Sequence, residues 1–164
     1  MQQHAGRVRQ RRDGSAGALG ARAGLYESAQ VRFNATGTVT VFAGTHNHGQ
    51  GHETTAAQAV AHTFGIHPND VTVTTGDTGT TPFGSGTIGA RMGSYFVSAA
   101  VDAADVLKKK LARFMAHDMA LSGATEDDFE FTGGEIIYLK DTNIRQSFRD
   151  ACERNIMAPI NLPA

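Results

Sequence analysis

The sequence predicts an α+β fold assembled from β-hairpins and strand–Gly loop–helix units. Three observations predict it. Apolar residues alternate over 27–43, apolar residues recur at helical spacing over 53–64 and 92–121, and a glycine-rich loop stands ahead of each helical segment. With 164 residues and 40% hydrophobic content, the chain reads as one domain long enough to bury a core.

Residues 1–23 differ from the rest. Arg7, Arg9, Arg11 and Arg12 crowd a Gly-, Ala- and Gln-rich stretch with Val8 and Leu19 as its only large aliphatics. It is expected to be a disordered or poorly packed arm that adds no strand, with 24–164 forming the folded part. Over 27–34, Ala29, Val31 and Phe33 share one face and Gln30 and Arg32 the other. Ala35-Thr36-Gly37 is a turn, and Val39, Val41 and Ala43 continue the alternation, so the pair predicts a hairpin. Ala57, Val60, Ala61 and Phe64 predict a helix over 53–64, ended by Gly65 as a C-cap. A turn at 67–70 leads into a strand over 71–75. Residues 76–91 form a long loop with five glycines and a proline, and loops of that length are generally functional or disordered.

Val97, Ala100, Val101, Ala104, Leu107, Leu111 and Phe114 predict the buried stripe of a long helix over 92–121. Lys108, Lys109 and Lys110 read as its solvated face. Residues 128–131 and 135–139, joined by Gly133-Gly134, predict a second hairpin. A short helix is expected over 144–154, and an irregular tail after it.

Composition narrows the function. A net charge of −1 gives no footprint for nucleic acid or an anionic membrane. No apolar run approaches the ~18 residues of a membrane span. A single cysteine, Cys152, rules out an intrachain disulfide framework and suits a reducing cytoplasm. Neither G-x-G-x-x-G nor G-x-x-x-x-G-K occurs, so nicotinamide and P-loop nucleotide binding are unsupported.

The chemistry concentrates in two loops. Gly49-Gln50-Gly51-His52-Glu53 follows a strand and opens a helix. Glycines there let a ligand approach the backbone, and a helix start adds unpaired N–H donors at the positive end of its dipole. That is an anion cradle. The second loop, 84–91, also precedes a helix, which implies a ligand with more than one polar or anionic handle. A plain tight turn at a helix start explains the first loop equally well. His46, His48 and His52 beside Glu53 could instead make a small metal-binding protein. Asp77 reads as a turn or cap residue, and Arg91 either holds a phosphate or pairs with Asp77.

The run T-V-T-V-F-A-G-T-H-N-H-G-Q-G-H-E-T-T at 38–55 resembles the molybdenum-cofactor-binding part of the xanthine dehydrogenase family. Within that family it is most similar to the large subunit of aerobic carbon monoxide dehydrogenases. G-D-T-x-x-x-P-x-G-x-G-T-x-G-x-R at 76–91 resembles the same subunit, and so do the strand residues at 25–29. The resemblance spans about residues 20–121 and implies an incomplete molybdenum-cofactor-binding domain. It implies a cofactor of molybdenum–molybdopterin, commonly as the cytosine dinucleotide. Gln50 and Gly51 would then contact the pterin, supported by Gly49 and His52, while Thr87, Gly89, Ala90 and Arg91 line the pterin and pyrophosphate. It also implies a cytoplasmic molybdenum hydroxylase that inserts water-derived oxygen at carbon or oxidises carbon monoxide. Its partners would be the remainder of the catalytic subunit and iron–sulfur and flavin (FAD) subunits.

The chain departs from the family where Gly89-Ala90-Arg91-Met92 replaces Gly-Ser-Arg-Ser. That removes two hydroxyls expected to bond the cofactor, each worth about 1.5–3 kcal/mol if the acceptor is charged. The family's substrate-side loop and its Gly-x-Gly-Glu segment, which carries the general base, do not occur in the sequence. The expectation is a fragment, a truncated reading frame or one piece of a split subunit, inactive alone. A non-catalytic fragment is the alternative.

Overall fold

In the computed structural model, residues 4–7 and 26–157 are described. Two sheets carry the strands. The first runs in the order β1 (His4–Arg7), β2 (Ser28–Phe33), β3 (Val39–Ala43), β4 (Val71–Thr75). The hairpin at 27–43 forms as its alternation requires: β2 and β3 pair antiparallel, with Val31 opposite Val41. Gly37 closes the turn with φ 79°.

From β3 the chain crosses through α1 (His52–Phe64) to β4, which pairs parallel to β3 with Val41 opposite Val73. A parallel neighbour demands such a crossover. α1 ends at Gly65 in the left-handed region, where the amides of Gly65 and Ile66 reach the carbonyls of His62 and Ala61. Glycine is also required there for contact. A Cβ on Gly65 would stand 2.3 Å from the Phe131 carbonyl oxygen, so this end of α1 docks directly on the second sheet.

The long helix α2 (Met92–Asp118) packs on β1, β2 and α1. Its buried face is centred on Phe96, Ala99, Ala100, Ala103, Ala104, Leu107, Leu111 and Phe114. Val97 and Val101, predicted to be buried, flank that face and are half-buried. The run of alanines lets the helix lie close to the sheet, while Phe64, Phe96 and Phe114 fill the remaining space. Each fully buried phenylalanine contributes about 1.5–3 kcal/mol. The helix stops three residues earlier than predicted, at Asp118, with Ala120 in the left-handed region at φ 51°. Lys109 and Lys110 are exposed as expected, and Lys108 Nζ sits 5.1 Å from the centre of the Phe131 ring.

The second sheet comprises β5 (Phe129–Thr132), β6 (Glu135–Tyr138) and β7 (Arg145–Ser147), followed by α3 (Phe148–Met157). The predicted hairpin is present. The helix predicted over 144–154 is corrected: Arg145–Ser147 pairs with β6, and the helix begins only at Phe148. The Ser147 hydroxyl accepts the Asp150 amide at 3.0 Å, so a serine N-cap fixes the later start. Cys152 lies on the buried face of this helix, and that burial pushes its thiol up to about 12.

A second correction concerns the N-terminal arm. His4–Arg7 forms an edge strand, antiparallel to β2, with His4 opposite Val31. Edge pairing uses backbone groups alone and needs no apolar pattern, which is why composition did not reveal it. The remainder of residues 1–23, and the part of the predicted tail beyond residue 157, lie outside the described residues. Among the described residues, no helix is long and apolar enough to cross a membrane.

A cavity between two glycine loops

The first loop leaves β3 at Gly44 and is organised by Asn47. The Asn47 Oδ1 accepts the amides of Gly49 at 3.0 Å and Gln50 at 3.1 Å, while its Nδ2 donates to Glu53. Glu53 also accepts the Thr75 hydroxyl at 3.1 Å. The Glu53 carboxylate is therefore an internal brace tying loop, helix and β4 together. Gly51 sits at the N-cap with φ 75° and offers no side-chain cap to α1. The first helical bond runs from Thr55 N to Gly51 O at 3.1 Å. The amides of His52, Glu53 and Thr54 thus stand ahead of the helical ladder without intrahelical acceptors.

The second loop runs from Gly76 to Arg91 and crosses the first. A Cβ on Gly44 would lie 2.3 Å from the Pro82 carbonyl oxygen and 2.4 Å from the Gly84 nitrogen, so the crossing is made backbone to backbone. Thr87 locks it: its hydroxyl donates to the His46 carbonyl at 2.6 Å and lies 2.8 Å from the Thr45 hydroxyl. Thr45, fully buried, donates to Met92 Sδ at 2.9 Å. α2 then begins at N-cap Arg91, again without a side-chain cap.

Between the loops lies a cavity of about 510 Å³, within the size range of small-molecule sites. Gln50, His52 and Thr55 form one wall, Thr87, Ile88, Gly89 and Ala90 the other, and Met92, Gly93, Phe96 and Val97 the floor. The uncapped N-termini of α1 and α2 both open on it, which places two dipole ends and their amides around one space. His52 is 9% exposed, packs edge-on to Phe96 at 6.4 Å, and its Nδ1 has no hydrogen-bond partner. A buried imidazole nitrogen without a partner is costly unless a ligand supplies one. Gly49, Gly51, Gly89 and Gly93 each face open space where a Cβ would stand. Amide-rich walls, an orphaned polar atom and glycine-bared backbone fit a ligand with polar ring edges and phosphates.

Of the residues singled out from sequence, Gln50, His52, Thr87, Gly89 and Ala90 line this cavity, and Gly49 and Gly51 flank Gln50 in the chain. Arg91 is corrected. It does not line the cavity, and it pairs with Glu27 rather than Asp77, at 2% exposure. The reason is reach: its Nη2 also meets the Gly86 carbonyl at 3.2 Å, and its guanidinium lies 5.0 Å from the Tyr95 ring. Asp77 caps its own turn through Gly79 N at 2.9 Å and Thr80 Oγ1 at 2.8 Å. Met92 is a floor residue, 3% exposed, whose sulfur accepts a hydrogen bond from Thr45. The sequence reading missed Thr45, Asn47, Phe96 and Glu27. Only Asn47, a residue type that caps its own loop, carried a local signal. His46 and His48 lie ring to ring at 5.0 Å, and among the described residues no group of three or more His, Cys, Asp or Glu is gathered for a metal.

The chain belongs to the molybdopterin cofactor-binding domain family, whose profile matches residues 10–164. It is similar to the carbon monoxide dehydrogenase large chain of Afipia carboxidovorans, 40% identical over 93 residues. That match takes in 57% of this chain and 12% of the relative, so the chain spans about an eighth of that relative's length. The structure resembles carbon monoxide dehydrogenase from Oligotropha carboxidovorans with a TM-score of 0.72 at 30% identity, over 80% of this chain and 16% of that one. It shares its fold with quinoline 2-oxidoreductase from Pseudomonas putida 86, TM-score 0.79 at 24% identity, over 98% of this chain and 21% of that one.

Proposed function

We propose that the cavity between the two loops holds molybdopterin, as its cytosine dinucleotide, for a carbon monoxide dehydrogenase- or xanthine dehydrogenase-like molybdenum hydroxylase. One observation carries the reading: two uncapped helix N-termini and the partnerless His52 Nδ1 converge on the same cavity. When bound, that cofactor supplies the redox centre at which carbon is hydroxylated or carbon monoxide oxidised.

The chain's own residues bind and orient. Gln50 and His52 present polar groups to the pterin edge. Gly49 and Gly51 let the backbone approach, and the amides opening α1 meet negative charge. Gly89 and Ala90 form the facing wall, with Thr87 holding it in register. Phe96 and Val97 exclude water from the floor. Arg91 acts on this wall from behind rather than by touching the ligand. The remainder of the catalytic subunit closes the cavity, and iron–sulfur and flavin subunits take the electrons, in the cytoplasm.

The test is chemical. Protein expressed with an active molybdenum-cofactor supply is purified, and its pterin and nucleotide are released by acid. The reading predicts molybdopterin with equimolar cytidine monophosphate, and loss of both in Gln50→Ala and Gly89→Val. Pterin without cytidine refutes the dinucleotide form. Unchanged pterin content in both variants refutes the site.

A further inference from the structure

Glu27 and Arg91 form a fully buried ion pair, 1% and 2% exposed. Each other ion pair among the described residues has a partner more than half exposed. A buried pair is poor evidence of stabilisation, because desolvation offsets its attraction. This one is also incompletely satisfied: Glu27 Oε2 and Arg91 Nε and Nη1 lack partners. Its place in the fold therefore calls for another reason.

The pair joins the start of β2 to both ends of the cavity's second wall. Arg91 Nη2 donates to Glu27 and to the Gly86 carbonyl at 3.2 Å. Around it, Tyr26 N donates to Ser85 Oγ at 3.0 Å, Ser85 N to the Tyr26 carbonyl at 3.1 Å, and Ser28 Oγ to the Phe83 carbonyl. Gly84 passes directly over the carboxylate, since a Cβ there would stand 2.2 Å from Glu27 Oε2. Arg91 is also the N-cap of α2. Residues 86–91 contain no helix or strand, and besides this pair Thr87 ties them to His46 and Thr45.

We propose that the Glu27–Arg91 pair is a latch that positions the second loop and the N-terminus of α2, and so sets the width of the cavity. Both residues are positioning residues and neither touches the ligand. The latch itself stands on geometry, and its effect on ligand binding rests on the molybdopterin reading above. Glu27→Gln keeps the shape but leaves Arg91 buried without a counter-charge. Arg91→Lys keeps the charge but replaces the guanidinium, whose Nη2 alone meets both acceptors and which lies 5.0 Å from the Tyr95 ring, with the compact ammonium of a shorter side chain. The double variant Glu27→Met with Arg91→Met removes both charges and retains the fold.

Amide hydrogen exchange in the full chain, with molybdopterin content after cofactor-proficient expression, tests it. Exchange over residues 84–91 should quicken about tenfold or more in all three variants, with β5 and β6 unchanged. Molybdopterin content should fall by about tenfold, because a loosened loop must be ordered again on binding. Wild-type exchange in the double-methionine variant overturns the latch. A loosened loop with undiminished molybdopterin overturns its role in the cavity. A wild-type protein that takes up no molybdopterin refutes the cofactor reading instead, and loop exchange then still decides the latch.

Discussion

The two ends of α2 are finished in opposite ways. At its far end the chain satisfies itself. Met119 N returns to Met115 O, Leu121 N to Ala116 O, and the next turn carries a capping box between Thr125 and Asp128. Exposed ion pairs finish the surface: Arg113–Glu126 at 2.9 Å, Lys140–Asp128 at 2.8 Å and Arg154–Asp118 at 2.6 Å. At the near end, Arg91 and Gly51 leave two helix N-termini uncapped. Of the six buried side-chain atoms without partners among the described residues, His52 Nδ1, Glu27 Oε2, Arg91 Nε and Arg91 Nη1 belong to this end. Arg32 Nε and Gln146 Oε1 lie on strands outside it. The same sequence that caps its distal turns leaves these amides bare, and of the four atoms at this end only His52 Nδ1 belongs to a residue that lines the cavity.

The sharpest way to break this contrast is at Gly44. Gly44→Ala forces a Cβ onto two backbone atoms of the second loop, which cannot yield as a flexible side chain would. Urea melts should show a loss of several kcal/mol, about 3 or more, on the scale of severe overpacking. A loss under about 0.5 kcal/mol would mean that the loops do not cross as described.

Met92→Ser comes next. If position 92 mattered only for a hydroxyl, serine would improve the site at little cost. Because Met92 is buried and its sulfur is bonded by Thr45, the substitution should destabilise by about 2–4 kcal/mol, as for other large-to-small core changes. Thermal melts read this directly, and a neutral result would restore the simpler view.

Gly93→Ala should separate stability from function. The residue is helical, lines the cavity, and a Cβ there meets nothing within 4 Å. Alanine should hold or raise stability, by up to about 1 kcal/mol from helix propensity. It should nevertheless lower molybdopterin content by narrowing the cavity. Unchanged stability with unchanged cofactor would show that the floor is not occupied.

The smallest effect belongs to the distal end. The Arg113 hydrogen bond draws Glu126 from its ordinary 4.5 down to about 2. The Lys140 hydrogen bond draws Asp128 from 3.8 down to about 2. Both carboxylates are lower in the folded chain, so their contribution is complete above the unfolded values and is lost as pH falls through the folded ones. Stability should decline between about pH 4.5 and pH 2, less steeply in high salt because these pairs are exposed. Lys140→Met should flatten the Asp128 share of that decline, and an identical acid titration would exclude the pair.

What the sequence disclosed follows from the range of each signal. The hairpin at 27–43, α1 with its Gly65 cap, β4 and the long helix all rest on local periodicity, and all are present. The loops were legible as loops because glycine and proline punctuate them. β1 and β7 were not legible, being short strands whose pairing is carried by backbone bonds. Partners were the least legible: Glu27 lies 64 residues from Arg91, and Thr45 lies 42 from Thr87 and 47 from Met92. The residue types at 91 and 92 looked like ligand contacts or lost contacts. The fold makes one a buried brace and the other part of the floor.

The most direct test of the central claim is a hydrogen-exchange difference between cofactor-loaded and cofactor-free protein. The account predicts added protection over residues 49–55 and 86–93, where the uncapped helix starts and open glycines lie, and no change over 125–147. Protection confined to β5–β7, or none in either glycine loop, would contradict it.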